Sequence, residues 1–125
     1  MQRITAALAG PQPVGPYSQA VVTGHLVFTA GQIPANPHGQ IPADFSDQVR
    51  QTLRNLGAVL EAAGSGLDRL VKVNAYLTDP AQLEPFNAVY RELLGHAPPA
   101  RTTVCVQLWG VALEIDCVAA VREAP

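Results

Sequence analysis

Lysine is almost missing from this chain: Lys72 is the only one among 125 residues. The remaining cations are seven scattered arginines, Arg3, Arg50, Arg54, Arg69, Arg91, Arg101 and Arg122, against a formal net charge of -2. With no basic stripe there is no electrostatic footprint for nucleic acid, and no nucleic-acid partner is expected. Charged residues of all kinds make up 14% and hydrophobic ones 48%, which excludes a disordered chain. No apolar run approaches the roughly 20 residues that span a bilayer, so no membrane partner is expected either. The opening MQRITAALAGPQP has a short apolar patch but no signal-peptide core, and the protein is read as cytoplasmic.

Other absences narrow the chemistry. His25, His38 and His96 have no metal-ligand spacing, so neither a metal nor any other cofactor is assigned. Cys105 and Cys117 lie in apolar stretches and are expected as two buried thiols in neighbouring strands, with a single disulfide as the alternative. There is no GxSxG elbow, no GxxxxGK(S/T) loop, no HExxH and no CxxC. Gly31 and its neighbours do not form a GxGxxG.

What is present reads as one α+β domain over residues 1–125. Pro11, Pro13 and Pro16 with Gly10 and Gly15 mark an extended lead-in, with a short strand expected at 3–8. Residues 17–23 and 26–31 flank Thr23-Gly24-His25 as a hairpin. A loop at 34–39 leads to a helix over 45–63, in which Phe45, Val49, Leu53, Leu56, Leu60 and Ala63 recur at spacings of three and four. Asp44 is its N-cap and Gly64 its stop. A strand follows at 70–77, with Val71, Val73, Ala75 and Leu77 on one apolar face. Asp79-Pro80 opens a second helix with a tight first turn, and Leu83, Phe86, Tyr90 and Leu93 are its expected buried stripe. Strands at about 101–108 and 112–121 close the chain as a hairpin around Trp109-Gly110.

The order β-β-α-β-α-β-β implies two helices on one face of the sheet. Four or more strands make a sheet about 19 Å wide or more. Two helices of about 10 Å each cover one face of it. Nothing remains for the other face, which carries Thr, Ala, Cys and Val beside polar groups, so it is expected to pack against other subunits.

The candidate chemistry sits in the last two strands. Alternation puts Arg101, Thr103 and Cys105 on one face, and Glu114 with Asp116 on one face of the next strand. An arginine and a carboxylate from adjacent strands could meet, either as a carboxylate-binding fork or as an exposed ion pair worth under about 1 kcal/mol. Tyr17 reads as a cleft residue or as a core tyrosine, and Asn87 as a site residue or as a buried hydrogen-bonding one. Asp116 reads as a solvated charge on the sheet.

Several segments in order resemble the Rid (YjgF-type) reactive-intermediate deaminases: Gly15-Pro16-Tyr17-Ser18-Gln19-Ala20, Thr29-Ala30-Gly31-Gln32-Ile33-Pro34, Phe86-Asn87-Ala88-Val89-Tyr90, Pro99-Ala100-Arg101 and Leu113-Glu114-Ile115-Asp116. They span nearly the whole chain. The resemblance implies a chorismate-mutase-like fold and a homotrimer with a barrel-like core and clefts between subunits. It implies hydrolysis of 2-aminoacrylate or 2-iminopropanoate-type enamines and imines to 2-oxo acids and ammonia, the activity of a 2-iminobutanoate/2-iminopropanoate deaminase. The partner is then a small carboxylate-bearing metabolite. Arg101 would bind its carboxylate, Glu114 would position water, Tyr17 would line the cleft, and Gly31 would offer its backbone. Ala30, Thr103 and Asn87 would complete the substrate contacts. Two positions depart from the family's pattern. Ala30 stands where serine is frequent, and Thr103 where cysteine is frequent, which argues against thiol chemistry. The loop 107–112 is also shorter than in many relatives. The alternatives are a non-catalytic module that binds 2-oxo acids in the same cleft, and a member acting on another imine or amide.

Overall fold

The computed structural model of the chain describes residues 1–5 and 12–123. A six-stranded sheet is built from β1 (Gln2–Ile4), β2 (Ala20–Thr23), β3 (Leu26–Thr29), β4 (Leu70–Leu77), β5 (Ala100–Cys105) and β6 (Leu113–Ala120), in the spatial order β1-β2-β3-β6-β4-β5. Two helices, α1 (Phe45–Ala62) and α2 (Leu83–Leu94), complete this α+β fold. The strand expected at 3–8 is seen as β1, and residues 6–8 lie outside the described part. Among the described residues no helix is long and apolar enough to cross a membrane.

Local chemistry accounts for most of these elements. β2 and β3 pair antiparallel through Thr23↔Leu26, and Gly24 takes the positive φ of 59° that the tight turn demands. Asp44 caps α1 by accepting from the Asp47 N–H at 3.1 Å, and Gly64, at φ 82°, ends it. Asp79 accepts from Ala81 N–H at 2.9 Å while Gln82 Oε1 accepts from Asp79 N–H at 3.2 Å. This capping box holds a 3-10 turn over Pro80–Gln82, after which α2 begins.

Two burial expectations need correction. The buried stripe of α2 is Phe86, Val89, Tyr90 and Leu94, whereas Leu83 and Leu93 are exposed. The 3-10 turn winds more tightly than an α-helix, so the phase of the apolar stripe cannot be extrapolated from Asp79. Val71 is exposed because the β4–β6 register shifts between Leu70 and Lys72, turning it off the apolar face that Val73, Ala75 and Leu77 share.

The last two strands are not a hairpin. Helix α2 carries the chain across so that β5 lies parallel to β4 at the sheet edge, while β6 enters antiparallel between β3 and β4. Cys105 and Cys117 therefore sit in strands separated by β4, and only Cys117 is buried; Cys105 is exposed on the edge strand.

One core cluster joins α1, α2 and the helix-side residues of the sheet, among them Val27, Val73, Ala75, Leu113, Ile115 and Cys117. The opposite face carries Phe28, Tyr76 and Val104 interspersed with Asn74, Thr102, Glu114 and Asp116. Phe28 and Val104 are 44% and 40% exposed, more than a finished apolar surface would leave open. The expected cysteine is absent from this face.

Buried Asn55 fastens the segment after β3 to α1. Its amide donates to the carbonyls of Ile33 at 2.9 Å and Ala35 at 2.7 Å, and its oxygen accepts from Gln51 at 2.9 Å. Replacing Asn55 by alanine strands both carbonyls, at about 1–3 kcal/mol for each buried group left unpaired. Chemical denaturation of Asn55→Ala is expected to show a loss in that range or above, with an unchanged m-value.

Candidate functional site

The first cleft is organised by a break in the β3–β6 ladder. Phe28 pairs with Val118, but Gln32 pairs with Ile115, so four residues on one side match three on the other. The extra residue makes a bulge over 29–31. Cys117 N–H, opposite the bulge, instead donates to Thr29 Oγ1 at 3.0 Å. Gln32 rejoins β6 through backbone bonds to Ile115 of 2.7 and 3.0 Å. Its buried side chain donates to Gln19 Oε1 at 2.8 Å and to the carbonyl of Ala30 at 3.3 Å.

The bulge lays Gly31 directly against Glu114. A Cβ at residue 31 would collide with the Glu114 carboxylate and lie 2.9 Å from its Cγ. Gly31 does not take a positive φ, so its lack of a side chain serves this close approach and not a turn. Tyr17 faces the same space from the lead-in, where its hydroxyl accepts from Val14 N–H at 3.3 Å. Tyr17, Gln32, Ile33, Trp109, Val111 and Glu114 line a cleft of about 370 Å³. Trp109 stands at its rim and is 97% exposed.

Glu114 is half-buried, and no hydrogen bond engages its carboxylate among the described residues. Burial, and then the negative charge of Asp116, raise its pKa above the usual carboxylate value. The Asp116 carboxylate, unlike that of Glu114, is hydrogen-bonded on both oxygens. Asn74 donates to one of its oxygens at 2.8 Å and Tyr76 to the other at 2.8 Å. It is no solvated charge. The Tyr76 hydroxyl, with its bond to Asp116 as the largest cause, is pushed up to about 12 and stays a donor throughout the working range.

Arg101 lies elsewhere. It pairs across β5–β4 with Val73, which pairs with Cys117, so it projects on the helix side of the sheet. Glu114 pairs with Tyr76 and projects on the open side. The two are on opposite faces of one sheet and do not meet within the chain, contrary to the pairing that strand alternation suggested. The guanidinium of Arg101 instead stacks 5.4 Å from the Phe86 ring centroid and 4.7 Å from that of Tyr90. It has no carboxylate partner and no hydrogen-bond acceptor among the described residues. The buried hydroxyls of Tyr90 and Thr103 also lack a partner there. Arg101 and Thr103, with Leu77, Asp79, Leu83 and Cys105, line a second cleft of about 310 Å³. Asn87, half-buried on α2 next to Phe86, lines neither cleft, and Ala30 enters the first only through its backbone bonds to Gln19 and Gln32.

The sequence reading missed Asn74 and Tyr76. Their alternation in LVKVNAYL was the available signal, because it places them on the face opposite Val73, Ala75 and Leu77.

Residues 7–121 match the family model described as Endoribonuclease L-PSP. A RutC family protein of Pyrococcus horikoshii is 42% identical over 123 residues, covering 95% of this chain and 98% of the relative. Escherichia coli TdcF, named provisionally as a reactive intermediate deaminase, is 38% identical over 130 residues, covering 99% and 100%. The crystal structure of E. coli TdcF with bound serine superposes with a TM-score of 0.90 at 35% identity, covering 97% of this chain and 100% of that one.

Gly31→Ala tests the close approach. The alanine should turn the Glu114 side chain out of its observed position, while stability stays within about 1 kcal/mol of wild type. A crystal structure of the variant with Glu114 unmoved would overturn this account of Gly31.

Proposed function

Given that the chain belongs to the YjgF/Rid family, whose model bears the description Endoribonuclease L-PSP, we propose that it hydrolyses reactive 2-imino and 2-enamino acids to 2-oxo acids and ammonia. The observation that carries this reading is Arg101: a half-buried guanidinium fixed over two aromatic rings, with its donors uncommitted among the described residues. Stacking orients the group without using its N–H bonds, which leaves its planar fork for a substrate carboxylate. Serine, bound in TdcF, carries such a carboxylate.

Arg101 and Glu114 project from opposite faces, so a cleft using both takes Arg101 from one copy and Glu114 from another. This is the arrangement expected of the homotrimer, with the open sheet face packed between copies. In such a cleft Arg101 holds the carboxylate and so fixes the adjacent C=N carbon. Glu114 takes a proton from water as the water oxygen attacks that carbon. The nitrogen takes up a proton as the carbon is attacked, which gives a neutral carbinolamine; it then takes a second proton, the hydroxyl gives its own up as the C–N bond breaks, ammonia leaves, and the carbon becomes the carbonyl of a 2-oxo acid. An enamine such as 2-aminoacrylate first takes a proton at its terminal carbon to become 2-iminopropanoate. The raised proton affinity of Glu114 suits a group that must both accept and return a proton. Tyr17 and Gly31 shape the wall beside it. These imines hydrolyse in water unaided, so modest acceleration is enough, and the cytoplasm is the proposed compartment.

Imines can be generated in place by an amino-acid oxidase and their lifetime followed with a trapping reagent. Arg101→Ala should abolish acceleration, and Arg101→Lys should fail as well, because lysine lacks the fork. An Arg101→Ala protein as active as wild type sinks the assignment. Retained 2-oxobutanoate binding by a wild type without turnover favours the non-catalytic module instead.

The shared cleft has its own test. Arg101→Ala and Glu114→Gln, each inactive alone, should on mixing and reassembly recover roughly a quarter of wild-type activity, since one cleft in four then draws both intact residues from different copies. No recovery in a reassembled mixture places both residues' action within one copy and overturns the arrangement.

A further inference from the structure

Two carboxylates, Glu114 and Asp116, stand two residues apart on one strand and on one face of the sheet. Their surroundings are unequal. Both oxygens of Asp116 accept hydrogen bonds, from Asn74 and from Tyr76, each at 2.8 Å. Neither oxygen of Glu114 does, among the described residues, and Glu114 alone of the two lines the cleft. We propose that Asn74 and Tyr76 hold the Asp116 carboxylate in place as a fixed negative neighbour, so that Glu114 is the member of the pair that accepts a proton in the cleft and returns it.

The cross-strand register builds this inequality. Asn74 stands directly opposite Asp116, and Tyr76 directly opposite Glu114. The Tyr76 side chain nevertheless reaches diagonally to Asp116, a distance that an aromatic side chain spans. Two donors stabilise a carboxylate in its charged form, and a fixed negative charge nearby favours the proton on its neighbour. Paired titratable groups whose environments differ in this way take separate acid and base roles.

No other described group on this face competes. Tyr17 faces Glu114 from the lead-in, β3 contributes Phe28 and the segment after it the backbone of Gly31, β5 contributes Thr102 and Val104, and Arg3 stands on the far strand β1 in the row of Phe28 and Val118. The ammonium of Lys72 donates to the Thr102 hydroxyl at 2.7 Å. Arg101 is on the far side of the sheet. Asn74, Tyr76 and Asp116 are positioning residues here, since they act on the reaction through Glu114. The consequence for catalysis rests on the assignment of Glu114 to the reaction, but the unequal pair itself does not.

The test separates the two. Carboxyl carbons of the full-length protein can be titrated by NMR in wild type, Asp116→Asn and Tyr76→Phe, beside the pH dependence of kcat/KM on a trapped imine. In Asp116→Asn, which keeps the shape but not the charge, the Glu114 midpoint should move to lower pH, and the limb of the rate profile governed by Glu114 should move with it. In Tyr76→Phe, Asp116 loses one of its two donors and is held less firmly, so the Glu114 midpoint should move in the same direction. A merely structural role for Asp116 would lower thermal stability and leave the Glu114 midpoint in place. An unchanged midpoint in both variants overturns the proposal. A midpoint that moves while the rate profile stays fixed supports the unequal pair and overturns the catalytic assignment of Glu114.

Discussion

Every side chain on a strand belongs to one face of its sheet or the other, and that choice organises this protein. β4 lies between β5 and β6, and its register fixes both neighbours. The row through Arg101, Val73 and Cys117 points toward the helices, and the rows through Tyr76–Glu114 and Asn74–Asp116 point away. No rotamer change carries a side chain through a sheet. In the proposed reaction, the anion-binding and proton-carrying groups are thus held apart by the hydrogen-bonded backbone between them. In the proposed assembly the open face, too apolar to be finished and too polar to be a core, is where copies meet and bring the two groups together.

The charges of this chain serve two different ends. Arg122 binds Asp68 at 2.7 Å and Glu61 at 3.2 Å, and Arg50 binds Asp47 at 3.0 Å and Glu92 at 3.2 Å, all at the surface. Such exposed pairs are screened by water and mainly tie neighbouring elements together. Arg101 is held by ring faces instead, an interaction of about 0.5–2 kcal/mol that occupies none of its five N–H donors. A guanidinium oriented by stacking is preorganised for a carboxylate and does not have to give up a protein partner to receive one. Asp116 shows the same economy with the sign reversed: it is fully hydrogen-bonded, and the less encumbered carboxylate beside it is left for the cleft.

The sequence was most informative where the physics is local. The ends of α1 follow from Asp44 and Gly64, the hairpin from Gly24, and the start of α2 from Asp79-Pro80, because each depends on a cap or a backbone conformation within a few residues. Strand pairing is not local, and there the reading went astray. Trp109-Gly110 between two apolar runs resembled a hairpin turn, but the partner of β5 is chosen by the α2 crossover and the space left beside β4. The same non-local choice separated Arg101 from Glu114 and Cys105 from Cys117. Motif order brought attention to Tyr17, Gly31, Arg101 and Glu114. It gave no account of why Gly31 must lack a side chain, nor of the rings beneath Arg101. The donors to Asp116 come from a different strand, so its hydrogen bonds were invisible until the register was known.

Trp109 has a practical consequence. It is the only tryptophan in the chain, almost wholly in water, at the rim of the cleft that Glu114 lines. Indole emission moves to shorter wavelength when water is withdrawn from the ring. A molecule lodging in the cleft, or a second copy closing over its rim, therefore alters the one fluorophore whose signal is not averaged with others. The protein carries an intrinsic optical reporter at that rim, readable without a label.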